Sequence, residues 1–450
     1  MNSFSKNSLI TFVTEIAFFV LGLLSLIIIT RVLGPEGKGI YSLIILVPAL
    51  LINFGSLGIG GANVYFVGSK KYKVQDIVSN SFFLAVFWGA ALILAFWALL
   101  QFDFFKSFIH FDESYSFYLW IVVFSIPVSL VYSFFQNIIR GNGDIVNYNK
   151  IRLLEGSLAF LGVFVLLLLL KGGIFGAVSS YIISILGAAF LTIILVGKIS
   201  KIRLSLNKAL LKDSVVYGTK VYIANALSFL NYRLDIFLIA FLLQPSAAVA
   251  AVGFYSVAVA IAEKMFIVPG TFSTVLFPKI SSAESSDANS FTPKVVRHTF
   301  FIMIVLSLFL FFTSRFLILF FFGSAFLPAV APLLALLPGI IAFGVGGVLA
   351  ADLGGRGKPE IAVYSSFSCL VINIILNIIL IPYLGILGAA IASSISYWVD
   401  TLVVLIAFLK ISKNRLFEVM IIKKNDFKDY YCLIPYLKES LKFKNKTINK

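Results

Sequence analysis

Eight charged residues interrupt stretches of this chain that are otherwise almost entirely apolar. They are Glu15, Glu155, Lys220, Arg233, Asp235, Glu263, Lys264 and Asp400. Guanidinium and ammonium groups in apolar surroundings can bind anions, and a desolvated carboxylate can titrate near neutral pH. Because five of the eight fall between positions 220 and 264, the pattern indicates one polar site rather than scattered charges.

The spacing within 220–235 predicts a polar stripe along one face of a helix. The residues that lie within about 80° of each other, at about 100° per residue, are Lys220, Ser228, Asn231 and Asp235. Arg233 lies about 160° around the helix from Asp235, so an ideal helix cannot aim both side chains into the same space. Either the helix is irregular there, or Arg233 contacts a different element.

The composition shows whether water or lipid surrounds these charged residues. Of 450 residues, 60% are hydrophobic and 12% are charged, with a mean hydropathy of +1.02. Soluble domains are about 45–50% apolar and about one quarter charged. Because the apolar runs are unbroken rather than alternating, we predict an all-α integral membrane protein. Placing a charged side chain at the centre of a span costs at least ~2.5–3.5 kcal/mol of free energy, so we expect each of the eight residues to have a structural or functional role.

The sequence contains no pattern typical of a metal or nucleotide site. Its cysteines, Cys369 and Cys432, form no CxxC pair, its two histidines lie far apart, and no GxxxxGK motif is present. We therefore expect no metal, no cofactor and no ATP hydrolysis. The net charge of +16 comes mostly from loop charges and a basic tail, so we expect no nucleic-acid partner.

A membrane span needs about 20 apolar residues, and twelve runs of this kind can be found. They are 8–30, 39–66, 79–101, 117–139, 152–170, 174–197, 214–242, 250–278, 299–322, 328–351, 361–382 and 386–409. The loops after even-numbered spans carry 16 Lys and Arg, and those after odd-numbered spans carry four or five. The positive-inside rule then places the even loops and both termini in the cytoplasm.

Three motifs recur about 214 residues apart and predict an internal duplication. RGNGDIVNY (140–148) recurs as RGKPEIAVY (356–364), GIYS (39–42) as GFYS (253–256), and GIFGA (173–177) as GILGA (385–389). Six spans separate the copies, so both halves have the same orientation, as in transporters with a central cavity between parallel repeats. The predicted domains are six-helix bundles 1–198 and 214–410, a cytoplasmic linker 199–213 and a basic cytoplasmic tail 411–450, which we expect near anionic lipid headgroups.

Three further predictions concern arginine, glycine and asparagine residues of the turns and spans. Arg140 and Arg356 are candidates for a cytoplasmic gate, and the alternative is that they only set the topology. The glycines of 55–61 predict close packing or a break in span 2 rather than phosphate binding. Asn373 and Asn377, four residues apart, predict hydrogen bonds between helices.

Four segments resemble the Wzx-type polysaccharide flippases, which share a superfamily with MATE drug exporters and the lipid II flippase. They are RVLGPEGKGIYSL (31–43), FGSLGIGGANVYFVG (54–68), NYRLDIFLIA (231–240) and NIILNIILIPYLGILGAAIASSISY (373–397). The resemblance covers roughly residues 1–410 and implies a MATE-like fold. The second-half counterpart of the first motif, QPSAAVAAVGFYSV, lacks the Arg and the Gly-Pro, so its turn need not have the same geometry.

The resemblance also implies a function. It is a flippase in the bacterial cell membrane that moves an undecaprenyl-diphosphate-linked oligosaccharide to the outer leaflet by alternating access, for O-antigen, capsule or exopolysaccharide synthesis. The residues expected to bind the pyrophosphate are Arg233 first, because a guanidinium is bidentate, then Lys264 and Lys220. The polar cavity residues, with carboxylates that could couple transport to protons or sodium, are Asp235, Glu263, Glu15, Asn231 and Ser228. The membrane potential alone is the other energy source.

Several alternatives stay open. The cations could snorkel to an interface or pair with Asp235 or Glu263, and the chain could be a MATE-like ion-coupled exporter of amphiphilic small molecules. A membrane polysaccharide polymerase or ligase is disfavoured because the longest outward loop, near 102–116, is short, so we expect no enzyme. The expected partners are the glycan substrate, membrane lipids and polysaccharide polymerases or glycosyltransferases, with the chain itself a monomer.

Overall fold

The computed structural model describes residues 3–102, 113–201, 206–282, 285–423 and 426, which form helices and short connections. We label the long helices α1 to α12 and a short terminal one α13. Their bounds are α1 3–33, α2 35–55 with Ile59–Ser69, α3 Val74–Leu99, α4 Tyr115–Gly141, α5 Ile145–Leu169, α6 Gly173–Ile199, α7 Lys208–Leu242, α8 Pro245–Ala262 with Ile267–Ser282, α9 Ser285–Phe322, α10 Ser324–Gly355, α11 Glu360–Leu384, α12 Ile386–Ser412 and α13 Leu416–Met420. The predicted all-α class is confirmed.

Among the described residues, ten helical stretches are long and apolar enough to cross a membrane. The first, Ile10–Gly55, has 46 residues, which is about 69 Å of helix against about 30 Å of hydrocarbon. Its backbone leaves the helical conformation at Gly34, with φ 67° and ψ −176°, so it contains two spans. The remaining predicted span is α7, which carries the polar stripe. The chain is a multi-pass membrane protein.

α2 and α8 are interrupted in segments that the sequence singled out. α2 stops at Gly55 and resumes at Ile59, and Gly58 between them has a φ of 68°, which confirms the predicted break. A Cβ atom on Gly58 would overlap the carbonyl oxygen of Gly218, so the backbones of α2 and α7 touch there. α8 passes through a 3₁₀ turn at Glu263–Phe266, within the cluster of charges that the sequence singled out.

The helices pack into two compact units. The first comprises Met1–Val259, Ser314–Leu333 and Ile374–Ala392, and the second comprises Ala260–Thr313, Leu334–Asn373 and Ser393–Lys450. The core of the first unit is built mainly from α2 to α4, including Phe134 and Phe135, and that of the second from α8 to α10 and α12, including Phe408. The first unit contains residues of both predicted halves, and the division into bundles 1–198 and 214–410 stays a prediction.

Equivalent glycines of the repeated motifs have the same backbone conformation. Gly143 and Gly357 both have a φ of 77°, and Gly173 and Gly385 have φ values of 55° and 57°. These angles lie in the left-handed region that favours glycine. The equivalent turns therefore need glycine for the same reason in both copies, which supports the predicted duplication.

The structure corrects one part of the repeat, because Arg140 and Arg356 are not equivalent. The turn glycines Gly143 and Gly357 are 214 residues apart, whereas the two arginines are 216 apart. Arg356 donates to Asp352 on its own helix at 2.6 Å, but Arg140 is exposed and lies 5.9 Å from the centre of the Tyr148 ring. Their role at a cytoplasmic gate stays a prediction, and any such roles would differ.

α2 and the first part of α8 cross at the equivalent glycines of the GIYS and GFYS motifs. A Cβ atom on Gly39 would overlap the carbonyl oxygen of Val249, and one on Gly253 would overlap that of Pro35. Beside this crossing, the Ser42 hydroxyl donates to the Ser256 hydroxyl at 3.2 Å. The two copies of the motif thus contact each other, as expected near a pseudo-twofold axis.

Replacing Gly39 with Ala should destabilise the protein, because the added methyl group meets backbone that cannot swing aside. Overpacking of this kind typically costs about 1–3 kcal/mol. The measurement is the melting temperature of the purified protein in detergent. The control is Gly22→Ala in α1, where no atom lies within 4 Å of the new Cβ, so its melting temperature should not fall. Equal melting temperatures in the two variants would contradict the close crossing.

Candidate functional site

The motif 31–43 contributes a chain of polar contacts in the first unit. Arg31 donates from Nε to the carbonyl oxygen of Phe321 at 2.8 Å, and its Nη2 donates to that of Phe320. These oxygens belong to the last turn of α9, where carbonyl groups have no partner within the helix. Arg31 therefore satisfies the end of α9 instead of serving only as a topology charge.

Four residues beyond Gly34, α2 places Lys38 in the interior of the first unit. Only 8% of Lys38 is exposed. Its ammonium group donates to the Ser42 hydroxyl at 3.0 Å and lies 5.5 Å from the centre of the Tyr41 ring. Within the described part of the chain no carboxylate forms an ion pair with it. A buried ammonium in this setting can bind an anion.

Arg233 adds a second positive charge in the neighbourhood of Lys38. Its positive charge lies near enough to act on the Lys38 ammonium, and its own side chain is half-buried. α7 is continuous through this position, so Arg233 and Asp235 lie about 160° apart around a regular helix, on different faces of it. Because Lys38 forms no ion pair with a described carboxylate, an anion bound beside its ammonium group would stabilise that buried charge.

On another face of α7, Asp235 is enclosed by helices α8 and α11. The residue is 2% exposed. It accepts a hydrogen bond from the Tyr255 hydroxyl at 2.7 Å and one from the Asn377 amide at 2.8 Å. Asn231, one turn earlier, is also buried. This carboxylate cluster joins three helices of the first unit, and the hydrogen bond predicted for Asn377 is confirmed.

The remaining predicted site residues lie elsewhere. Glu15 pairs with Arg152, and Glu155 accepts a hydrogen bond from the Tyr132 hydroxyl at 2.7 Å. Both contacts lie in the first unit and do not include Arg233. Ser228 is half-buried on α7, whereas the side chain of Lys220 lies outside the described residues.

Glu263 and Lys264 belong to the second unit. Glu263 is half-buried and Lys264 is exposed, and both lie in the 3₁₀ turn of α8. In the same unit the Asn373 amide donates to the Ser396 hydroxyl at 3.3 Å, which confirms its predicted role between helices. The assignment of Lys264 to the pyrophosphate and of Glu263 to coupling stays a prediction.

A second set of contacts joins the α2–α3 connection to the start of α7. Asp213 accepts hydrogen bonds from the Lys71 ammonium and from the Tyr72 hydroxyl, each at 2.7 Å. These two donors lower the pKa of the Asp213 carboxyl. Nearby, the Asn80 amide donates to the carbonyl oxygen of Asn207 at 2.8 Å. This end of the first unit is therefore held by charged and neutral hydrogen bonds.

The sequence did not assign Lys38 to the site. Lys38 lies before the predicted start of span 2, at residue 39, and so belongs to the predicted loop after span 1. Its position one helical turn after a Gly-Pro pair was the available signal, since Pro favours the first turn of a helix and places Lys38 inside it. Among the described residues, no group of three or more His, Cys, Asp or Glu is placed to hold a metal ion.

Two family models match the chain over more than half of its length each. The model described as polysaccharide biosynthesis protein matches residues 4–284, and the model described as lipid II flippase MurJ matches residues 157–433. No curated protein matches the chain in sequence.

Solved structures of flippases and exporters share the fold. The lipid II flippase MurJ in its inward closed conformation has a TM-score of 0.74 and 18% identity, over 90% of each chain. An inward-facing multidrug resistance MATE family transporter has a TM-score of 0.70 and 16% identity, over 88% of this chain and 95% of that one. A MOP superfamily transporter from Pyrococcus furiosus, described as having a binding pocket of reverse polarity, has a TM-score of 0.61 and 16% identity, over 91% and 95%.

At these identities the similarity shows a shared fold, and it confirms the predicted MATE-like architecture. The matched families consist of flippases and transporters and not of enzymes, as the sequence predicted. None of these similarities assigns a role to Lys38, Arg233 or Asp235, so the site rests on its own geometry.

Inorganic pyrophosphate should raise the melting temperature of the wild-type protein in detergent, because an anion bound to the folded state stabilises it by mass action. Lys38→Gln and Arg233→Gln should each lose most of this increase. Lys198→Gln removes an exposed charge at the end of α6 and should keep it. Sodium chloride at matched ionic strength controls for screening. An equal increase in all four proteins would contradict an anion site at Lys38 and Arg233.

Proposed function

The chain belongs to the polysaccharide biosynthesis family of Wzx-type flippases, and from that premise we propose that its cargo is an undecaprenyl-diphosphate-linked oligosaccharide. The protein would carry it from the cytoplasmic to the outer leaflet of the bacterial cell membrane, for synthesis of O-antigen, capsule or exopolysaccharide. Both termini would then be cytoplasmic, as the distribution of Lys and Arg favours.

One observation carries this proposal, namely that the Lys38 ammonium is buried without a described carboxylate partner and lies within electrostatic range of Arg233. A pyrophosphate group offers at least two negative charges and several oxygen atoms. The guanidinium can bind two oxygens at once and the ammonium can act as a point charge. Bound there, the headgroup exchanges its water for protein donors, which removes the main cost of crossing hydrocarbon.

The depth of the two cations suits movement toward the outer leaflet. Lys38 lies four residues after Gly34, about 6 Å along α2, and Arg233 lies nine residues before the end of α7, about 14 Å along that helix. In the proposed orientation both helix ends are at the outer surface. The cations therefore lie in the half of the membrane toward which the anionic headgroup moves.

The energy source that we favour is ion coupling through Asp235. A buried carboxylate held by Tyr255 and Asn377 can change its contacts when it binds a proton or a sodium ion, and so alter how α7, α8 and α11 pack. The membrane potential could add to this, because outward movement of an uncompensated negative charge gains about 2.3 kcal/mol per 100 mV.

Polysaccharide polymerases or glycosyltransferases are the expected protein partners, with the flippase itself a monomer.

A MATE-like exporter of amphiphilic small molecules is the second candidate. Cargo of that class is usually cationic, and the positive charges of Lys38 and Arg233 would repel it. The family to which the chain belongs also favours the glycolipid, so we retain the exporter only as an outcome of the transport experiment.

Removing either cation should slow translocation of lipid-linked oligosaccharide in proteoliposomes. Lys38→Gln and Arg233→Gln should each lower the initial rate at limiting substrate about ten- to a hundredfold, because a hydrogen bond to a charged group contributes about 1.5–3 kcal/mol. Lys198→Gln is the matched control and should transport normally. Normal glycolipid transport by the double variant would remove the assigned site, and transport of an amphiphilic cation instead of the glycolipid would support the exporter.

Neutralising Asp235 should uncouple transport from an ion gradient. Asp235→Asn keeps the side-chain volume but cannot bind a proton or pair with sodium, so its rate should no longer respond to an imposed proton or sodium gradient. Asp400→Asn, a buried aspartate of the second unit, is the matched control and should keep the response of the wild type. A gradient response in Asp235→Asn equal to that of the control would exclude Asp235 as the coupling residue.

A further inference from the structure

The C-terminal tail begins with a segment that is folded against the second unit. Arg297 of α9 donates from Nε and Nη2 to the two carboxylate oxygens of Asp426 at 2.6 and 2.9 Å. The side chains in this pair are only 8% and 5% exposed. Arg297 also donates from Nη1 to the carbonyl oxygen of Glu418 at 2.6 Å. The bond to Arg297 lowers the pKa of the Asp426 carboxyl to about 2, so the pair is charged at neutral pH.

Further contacts fix the orientation of this segment. Val419 of α13 is fully buried and belongs to the core that includes Val296 and Phe408. The Asn414 amide donates to the carbonyl oxygen of Asn289 at 2.9 Å. The predicted basic tail therefore starts with a segment, residues 413–423, that is docked on the protein.

The docked segment leaves an apolar patch uncovered. We call Leu416, Phe417 and Ile421 the tail patch, and they are 45%, 71% and 54% exposed. Val419 lies on the far side of the same helix and points into the protein. Large apolar side chains held outward by a buried ion pair are unusual on a surface that faces water.

Basic residues flank the tail patch along the chain. Lys413, Arg415 and Lys423 are exposed, and Glu418 is the one acidic side chain between them in the sequence. The Glu418 carboxylate accepts a hydrogen bond from the Arg415 backbone N–H at 3.0 Å. The rim of the patch thus has a net positive charge of about two, which suits an anionic surface with an apolar interior.

The depth of the segment can be read from α9 and α12, both within the second unit. The exposed apolar residues nearest to the segment, which mark the lipid-facing surface, are Val305 on α9 and Ile406 on α12. Arg297 lies eight residues from the first, about 12 Å, and Ser412 lies six residues from the second, about 9 Å. Headgroups add roughly 5–8 Å on each side of the hydrocarbon. Because both marker residues lie within the hydrocarbon, Arg297 is less than about 12 Å and Ser412 less than about 9 Å beyond its boundary, which places both at the membrane surface.

We propose that residues 412–423, held by the bond from Arg297 to Asp426, form an interfacial anchor, in which Lys413, Arg415 and Lys423 bind anionic lipid headgroups while the tail patch enters the adjoining acyl-chain region. The partner is the lipid surface on the side of the C terminus. The anchor ties that surface to α9 through Arg297 and to α12 through the chain itself. It does not depend on which cargo the flippase carries.

The depth of Phe417 tests this anchor in the full-length protein. A nitroxide is attached to Phe417→Cys in a Cys432→Ser background, because the remaining Cys369 is fully buried. Accessibility to oxygen and to a water-soluble nickel complex is measured in nanodiscs of phosphatidylcholine, with and without phosphatidylglycerol. Phe312→Cys on α9, whose native side chain is 76% exposed, serves as the hydrocarbon reference, and Lys358→Cys in the α10–α11 turn serves as the water reference.

With phosphatidylglycerol, the ratio of oxygen to nickel accessibility at 417 should approach that at 312 and exceed that at 358 severalfold. It should fall in phosphatidylcholine alone.

The triple variant Lys413→Gln, Arg415→Gln and Lys423→Gln should lose this lipid dependence. A control triple variant, Lys442→Gln, Lys444→Gln and Lys446→Gln, removes the same charge from the distal tail and should keep the lipid dependence. A ratio equal to that at 358 in both lipids would overturn the anchor. So would shielding from both reagents, which would mean that protein covers the patch, or an unchanged lipid dependence in the first triple variant.

Discussion

The hydrocarbon interior offers no water to a polar group, and this constraint explains most of the polar contacts in the first unit. Arg31 is satisfied by the carbonyl groups at the end of α9, and Asp235 by Tyr255 and Asn377. Lys38 is different, because its neighbours are a hydroxyl group, an aromatic ring and the like charge of Arg233. A buried ammonium group without a carboxylate partner is stabilised when an anion binds to it, and this property of Lys38 is the physical basis of the proposed cargo.

The segment 31–43 shows how much a short motif can do in such a setting. Gly34 turns the chain between two spans, and the following Pro lies in the first turn of α2. Lys38 then brings a cation inside, while Gly39 lets α2 meet α8 backbone to backbone. The residues that shape the crossing and the residue that carries the charge are neighbours, so packing at the crossing also positions the ammonium group.

The protein uses positive charge in two physically distinct ways. Lys38 and Arg233 lie where water is scarce, so their effect on a ligand depends on distance and direction. The cations around α13 lie at the membrane surface, where salt screens them and several must act together. The buried ion pair of Arg297 and Asp426 serves neither purpose. It holds the start of the tail on α9, and the exposed basic side chains around α13 stay available to the lipid.

The sequence alone determined the solvent, the helical class, the spans, the break near Gly58 and the glycine turns of the repeat, because each depends on residues close together in the chain. It also placed Asp235 and Asn377 in polar roles. Only the tertiary structure decided that Lys38 lies inside, that α7 is regular at Arg233 and Asp235, and that Arg140 and Arg356 have different surroundings. The reason is that a side chain's partner is set by the helix that packs against it, and the amide that binds Asp235 comes from 142 residues further along the chain.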